Sequence, residues 1–253
     1  MKTYTTSMNL NTQNTKAEGT IIRNCDTIRG CSNNCVSCYA KINSMKTEFH
    51  IPVEIQNYTG KVDPNALYRI GTVGDPATNW SHTESLIKST GFKNFFCITK
   101  LQSVAGYTGL CNRLQVSVDP LNPEHFELTL NHVEYLLEFF PETQIILRIR
   151  SCASSTLWIN ILQRQAIDFA KKYNLTVLET RIRFRKKSDL KKYCICDKYY
   201  SFRKNFFRPH KGISFLKIDS PICDKFEKSC KGCLNCVNLW KEINNAQPYK
   251  KSA

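Results

Sequence analysis

Glycine and proline are scarce in this 253-residue chain, with 10 and 9 copies. That excludes a collagen-like repeat and a linker-rich chain. No apolar run approaches the roughly 20 residues a membrane-spanning helix requires. The opening Met1-Lys2-Thr3-Tyr4-Thr5-Thr6-Ser7 has no apolar core of a secretory signal. A cytoplasmic protein with no membrane contact is therefore expected. There is no internal repeat, Walker loop, nucleophile elbow or H-E-x-x-H motif, and the five histidines show no metal-ligand spacing. Acidic residues are also few, 21 against 36 Lys+Arg, which gives a net charge of +15. At 42% hydrophobic and 11% aromatic residues, the chain is still rich enough to bury a core, so a mostly disordered protein is excluded.

Cysteine, by contrast, is abundant, with 13 copies. An odd number without an export signal argues against a disulfide scaffold and for metal or iron–sulfur ligation. The positive charge is concentrated at one end. Residues 1–180 carry 17 Lys+Arg and 15 Asp+Glu, whereas residues 181–253 carry 19 and 6. Aromatics alternate with cations in Tyr199-Tyr200-Ser201-Phe202-Arg203-Lys204-Asn205-Phe206-Phe207-Arg208. Cations can hold phosphates while ring faces stack on bases, so nucleic acid is a candidate partner of this basic C-terminal region. The same pattern also suits a solvated basic surface over a small aromatic core.

The first 184 residues alternate strand and helix patterns. Strands are expected at 20–23, 67–73, 94–99, 114–119, 144–150 and from 175 onward. Helices are expected near 40–45, at 83–90, along the Phe126, Leu130, Val133, Leu137, Phe140 stripe, and along Trp158, Leu162, Phe169, Tyr173. Strands with helical crossovers argue for a parallel sheet, open or curled into a partial barrel. Alternation puts Leu114, Val116 and Val118 on one face, with Gln115, Ser117 and Asp119 on the other. Ile145, Leu147 and Ile149 likewise oppose Ile146, Arg148 and Arg150, and Glu179, Arg181 and Arg183 share a face. A curled sheet would gather Asp119, Arg148, Arg150 and Glu179 into a lumen, either for a charged ligand or as a structural ion-pair network.

Two cysteine clusters carry the chemistry. Cys31, Cys35 and Cys38 follow the first strand with the spacing C-x3-C-x2-C. Soft thiolates favour iron–sulfur clusters or zinc. Three ligands leave one position open, whereas structural zinc wants four, and nearby Cys25 is the candidate fourth ligand in a zinc reading. The tail holds Cys223, Cys230, Cys233 and Cys236, spaced C-x6-C-x2-C-x2-C. Four ligands suit an auxiliary [4Fe–4S] cluster or a structural zinc ion on which folding of the tail depends. Cys194 and Cys196 either add a ligand there or remain free. Cys97, Cys111 and Cys152 read as small buried hydrophobes.

The C-x3-C-x2-C loop after a first strand, followed by the six-strand pattern, resembles the radical S-adenosylmethionine (SAM) superfamily over about residues 19–184. The resemblance implies an α/β fold, a partial (β/α)6 barrel of radical SAM type with a C-terminal cysteine-rich metal-binding extension. Its parts are an N-terminal extension at 1–18, the core at 19–184 and a basic, cysteine-rich extension at 185–253. It implies a [4Fe–4S] cluster on Cys31, Cys35 and Cys38 and SAM on the open iron. It implies reductive cleavage of SAM to a 5′-deoxyadenosyl radical, and a flavodoxin- or ferredoxin-like electron donor. It further implies that Gly74 admits the cofactor's backbone approach and that Asp75 meets its ammonium. Ser117 and Asp119 would face its ribose or methionine portion, and Arg148 or Arg150 its carboxylate. Gly-Asp-Pro at 74–76 also reads as an ordinary strand-ending turn. The position before the third cysteine, usually aromatic in that superfamily, is Ser37, and Tyr39 follows it.

More narrowly, residues 11–16, Cys38-Tyr39-Ala40, Arg69-Ile70, Gly74-Asp75, Thr99-Lys100 and the terminal cysteine run are similar to the phage-associated gene product 88 family. The substrate is not legible. The alternatives are a non-enzymatic iron–sulfur or zinc protein that binds nucleic acid, and a degenerate radical SAM fold kept as a redox or interaction module.

Overall fold

A computed structural model describes residues 7–9, 14–17, 20–33, 35–36, 38, 49–154, 156–195, 197–203 and 206–222. These residues form thirteen strands: β1 (Ser7–Asn9), β2 (Asn14–Ala17), β3 (Thr20–Asn24), β4 (Ile28–Arg29), β5 (Val53–Glu54), β6 (Asn57–Thr59), β7 (Ala66–Ile70), β8 (Phe95–Thr99), β9 (Arg113–Val118), β10 (Gln144–Ser151), β11 (Thr176–Arg181), β12 (Tyr200–Arg203) and β13 (Phe206–Pro209). They also form four α-helices: α1 (Trp80–Thr90), α2 (Pro123–Phe139), α3 (Leu157–Lys172) and α4 (Lys187–Tyr193). The helix expected at 40–45 and the tail cysteines from Cys223 onward lie outside the described residues.

The main sheet has the order β11-β10-β9-β8-β7-β3-β2. The six strands from β3 to β11 run parallel, and β2 adds an antiparallel edge beside β3. Spatial order follows chain order, so no crossover reverses. Crossovers of one hand then send the crossover helices α1, α2 and α3 to one face. Helix residues Trp80, Ile87, Phe126, Val133, Leu136, Leu162 and Ala166 accordingly share one buried cluster with Tyr68, Ile70, Leu114, Val116, Val118, Leu147 and Ile149 from the strands. Each such fully buried large apolar side chain contributes roughly 1.5–3 kcal/mol. On the opposite face, Phe96, Ile146 and Leu178 cluster with Leu67 and Ile98, residues drawn from the four strands β7, β8, β10 and β11. The architecture is α/β with a six-strand parallel sheet, compatible with a partial α/β barrel.

Local chemistry sets the element ends. The Asn79 side chain accepts from the His82 amide (3.0 Å), so α1 begins at Trp80, three residues before the apolar pattern announces it. Asn122 caps α2 in the same way with Pro123 in its first turn, and Gly91 closes α1 in the left-handed region. The second parallel strand stops at Ile70 rather than Val73. Gly71 turns the chain at φ +84, and the Asp26 carboxylate takes the amides of Thr72 (2.5 Å) and Val73 (3.1 Å). Beyond β11, the β12–β13 hairpin and residues 213–222 fold back on the sheet.

Candidate functional site at the carboxyl ends of the strands

The cysteine loop leaves the carboxyl end of β3, the end at which parallel α/β sheets build their sites. Its approach is fixed by backbone packing. Gly30 and Gly74 form a parallel bridge. A Cβ on Gly74 would stand 1.9 Å from the Ile28 carbonyl oxygen, and one on Gly30, 2.5 Å from that of Ile51. The Cys31 amide donates to Phe49 O (2.9 Å), and the Cys38 amide to Cys35 O (3.2 Å). None of the three thiols is in a disulfide, and all are half-buried.

Asn33 ties this loop to the turn after β7. Its amide nitrogen donates both to Cys31 Sγ and to Asp75 Oδ2, each at 3.1 Å. Asp75 also accepts from Thr99 Oγ1 (2.6 Å) and the amides of Ala77 (3.0 Å) and Lys100 (2.9 Å). Both of its oxygens are thus taken by donors of the chain. Burial pushes its pKa up against those bonds.

The second half of the site is charged. Asp119 Oδ2 meets Arg150 Nη1 at 2.5 Å and Lys100 Nζ at 3.1 Å, and Oδ1 accepts from the Leu121 amide (3.2 Å). Burial alone would raise the Asp119 pKa, but Arg150 and Lys100 together hold it down to about 2. Cys35 is an electrostatic neighbour of Lys100, Asp119, Arg150 and Cys38. Burial raises its thiol pKa, and the two cations pull it back. Burial, then the charge of Asp75, pushes the Cys31 thiol up to about 12. Loop and charged cluster therefore share one locality, although they arise from opposite parts of the sheet.

Ser117 and Arg148, register partners on β9 and β10, lie on the face opposite the helices and are half-buried. Arg148 makes no ion pair among the described residues, and its buried Nε has no hydrogen-bond partner.

The place a Cβ at Gly74 would need is taken by the chain's own Ile28 carbonyl. Other expectations are corrected. Glu179 is not on the inner face. Its register partner is Ile149, which packs in the helix-side core, so Glu179 shares that face. There its carboxylate accepts from Ser151 Oγ (2.5 Å), Ser214 Oγ (2.7 Å) and the Phe215 amide (2.9 Å). Arg181 likewise leaves any lumen and donates to the carbonyls of His210 and Ile213. Asp26, Asn33 and Lys100 were missed as site residues. Their signal was position alone, since each lies just beyond a parallel strand's carboxyl end or in the cysteine loop.

Cys25, Cys97, Cys111 and Cys152 are buried free thiols. Cys194 sits in the extension's small core, with its Sγ 3.6 Å from Tyr200 Oη. No group of three or more His, Cys, Asp or Glu side chains able to hold a metal ion is found among the described residues. The aromatics of the extension mostly serve its own packing. Tyr200 stacks on Phe215, and Arg183 and Arg208 cover Phe206. Phe202, 61% exposed, is the most open described ring of the hairpin. Among the described residues, no helix is long and apolar enough to cross a membrane. No family model matches the chain, and neither a curated protein nor a solved structure matches it.

Proposed function

We propose that the chain is a radical SAM enzyme built on a partial (β/α)6 barrel, in which Cys31, Cys35 and Cys38 hold a [4Fe–4S] cluster that binds SAM. The observation that carries this reading is the meeting of the C-x3-C-x2-C loop with Lys100, Asp119 and Arg150 at the carboxyl ends of parallel strands. The donor set fits the cluster by its chemistry: three soft thiols in one loop, none consumed by a disulfide. Two cations beside Cys35 offset the negative charge that thiolate ligation brings. When bound, such a cluster supplies the electron that reductively cleaves the sulfonium bond of SAM.

The chain's own part is positional. Asn33 steadies the loop through Cys31 and Asp75. Arg150 and Lys100, locked on Asp119, set a positive potential for the cofactor's carboxylate.

The test is anaerobic reconstitution with iron and sulfide, then reductant and SAM. Formation of 5′-deoxyadenosine by the parent chain, with none from Cys35→Ala, is the expected result. Iron bound without any perturbation of its spectrum by SAM would reject the reading. A second reading, a metal-stabilised nucleic-acid-binding protein, is favoured by the charge of residues 181–222, where 13 Lys+Arg face 3 Asp+Glu. It predicts RNA or DNA affinity that falls steeply with salt, and no product from SAM.

A further inference from the structure

The inner face of the sheet carries polar groups that the reading above does not use. Gln115 is 0% exposed, yet neither its side-chain nitrogen nor its oxygen has a hydrogen-bond partner. The same is true of the Arg148 Nε and the Thr180 hydroxyl, which are also buried. Alternation places all three on the face opposite the helices, on the adjacent strands β9, β10 and β11. Unsatisfied buried polar groups of this kind cost about 1–3 kcal/mol each and call for a partner. On this face Ile98, Ser117, Arg148, Arg150 and Thr180 are half-buried, while Phe96, Gln115, Ile146 and Leu178 are 0–1% exposed. The face is therefore partly open, with reachable space beyond an apolar floor of Phe96, Ile146 and Leu178.

The cations facing that space differ in one respect. Lys100 and Arg150 share the Asp119 carboxylate, and Arg69 donates to Asn24. Arg148 has no carboxylate partner among the described residues. It lies two residues nearer the floor than Arg150, about 6–7 Å along the strand. A cofactor at the cysteine loop would meet the Lys100–Arg150 level first. We infer that Arg148, with its register partner Ser117 beside it and Thr180 one step along at the level of Arg150, is the anchor for a second oxyanion, the carboxylate or phosphate of a small-molecule substrate that reaches below the cofactor. The substrate role rests on the proposed function. The binding itself does not.

The test uses the full chain labelled with 15N-arginine, reduced and free of cluster. The Nε–H resonance of Arg148 is identified by its loss in Arg148→Gln. Malonate and inorganic phosphate are titrated separately, so the arm that responds names the oxyanion. The expected result is a saturable shift of the Arg148 resonance by one of them. Calorimetry on the same probe should show a loss of about tenfold or more in Arg148→Gln and about fivefold in Thr180→Val. A resonance that neither anion moves overturns the inference. So does affinity unchanged in both variants, which would place the anion on the basic extension. In the reconstituted, SAM-loaded chain the same affinity is expected, and displacement of the anion by SAM would assign Arg148 to the cofactor and overturn the inference. A chain that binds the anion but never SAM would instead sink the proposed function alone.

Discussion

Two flanks of the site bury a carboxylate in opposite ways. Beside β3 and β7, Asp26 is 2% exposed and meets mainly neutral donors: the Thr72 and Val73 amides and the Thr72 hydroxyl. Burial dominates and pushes its pKa up, with Arg69 the weakest of the opposing pulls. Beside β9 and β10, Asp119 is 5% exposed, and burial is outweighed by Arg150 and Lys100. Neutral donors around the first carboxylate shape the backbone from which the cysteine loop departs. Paired charges around the second build the electrostatic field in which the thiols stand. One flank is scaffold and the other is chemistry, although both are acidic residues just past a strand end.

The largest effect should separate the flanks outright. Asp119→Ala strands Arg150 and Lys100 as neighbouring half-buried cations and should cost about 3 kcal/mol. Asp26→Asn keeps shape and most hydrogen bonds and should cost about 1 kcal/mol. Urea unfolding of both variants measures this, and equal losses would erase the contrast. Next, Gly74→Ala drives a methyl group into the Ile28 carbonyl and should cost up to about 3 kcal/mol. Because that strain belongs to the scaffold flank, the carboxyl titration of Asp119 should stay where it is.

The third effect is pH dependence in the metal-free chain. With a folded pKa of about 2, Asp119 stabilises the native state above the ordinary carboxylate range. That contribution, roughly 2 kcal/mol, is lost as pH falls from about 4 toward 2. Asp26 has the opposite sign, since its raised pKa favours the native state at low pH and the benefit is lost as pH rises through the folded value. Carbon-13 carboxyl titration should show the Asp26 midpoint above the ordinary value and that of Asp119 below it. Coincident midpoints would refute the distinction. The smallest effect is that of Asn33→Ala, at about 1 kcal/mol. With the bond to Cys31 Sγ gone, that thiol should alkylate more slowly than in the parent, as read by peptide mass mapping.

Much of the fold was legible because it rests on local pattern. The alternation of Leu114, Val116 and Val118 and the spacing of Phe126, Val133 and Leu137 follow from burial of one face, and a single strand or helix reveals that. Asp119 and Arg150 were legible as inward groups for the same reason. Glu179 was not. Its parity with Arg181 was readable, but which face that parity meant depends on the register with Ile149, a non-local fact. Asp75 was legible as a turn residue, yet its four donors come from three separate segments. Asp26, Asn33 and Lys100 carry no periodic signal, and only the closing of the loop on the sheet gives them roles.

β11 is the last strand of the sheet, and a bare strand edge offers unpaired N–H and C=O groups to any passing chain. Glu179 prevents that here. Its amide donates to Pro221 O (3.0 Å), Glu179 bridges to Ile222, and its carboxylate grips Ser214 and Phe215. Residues 214–222 thus work as a selvedge sewn to the fabric through one buried acid. A chain clipped before Ser214 would leave that acid with Ser151 alone, and its exposed edge would become a seam along which copies could stitch together.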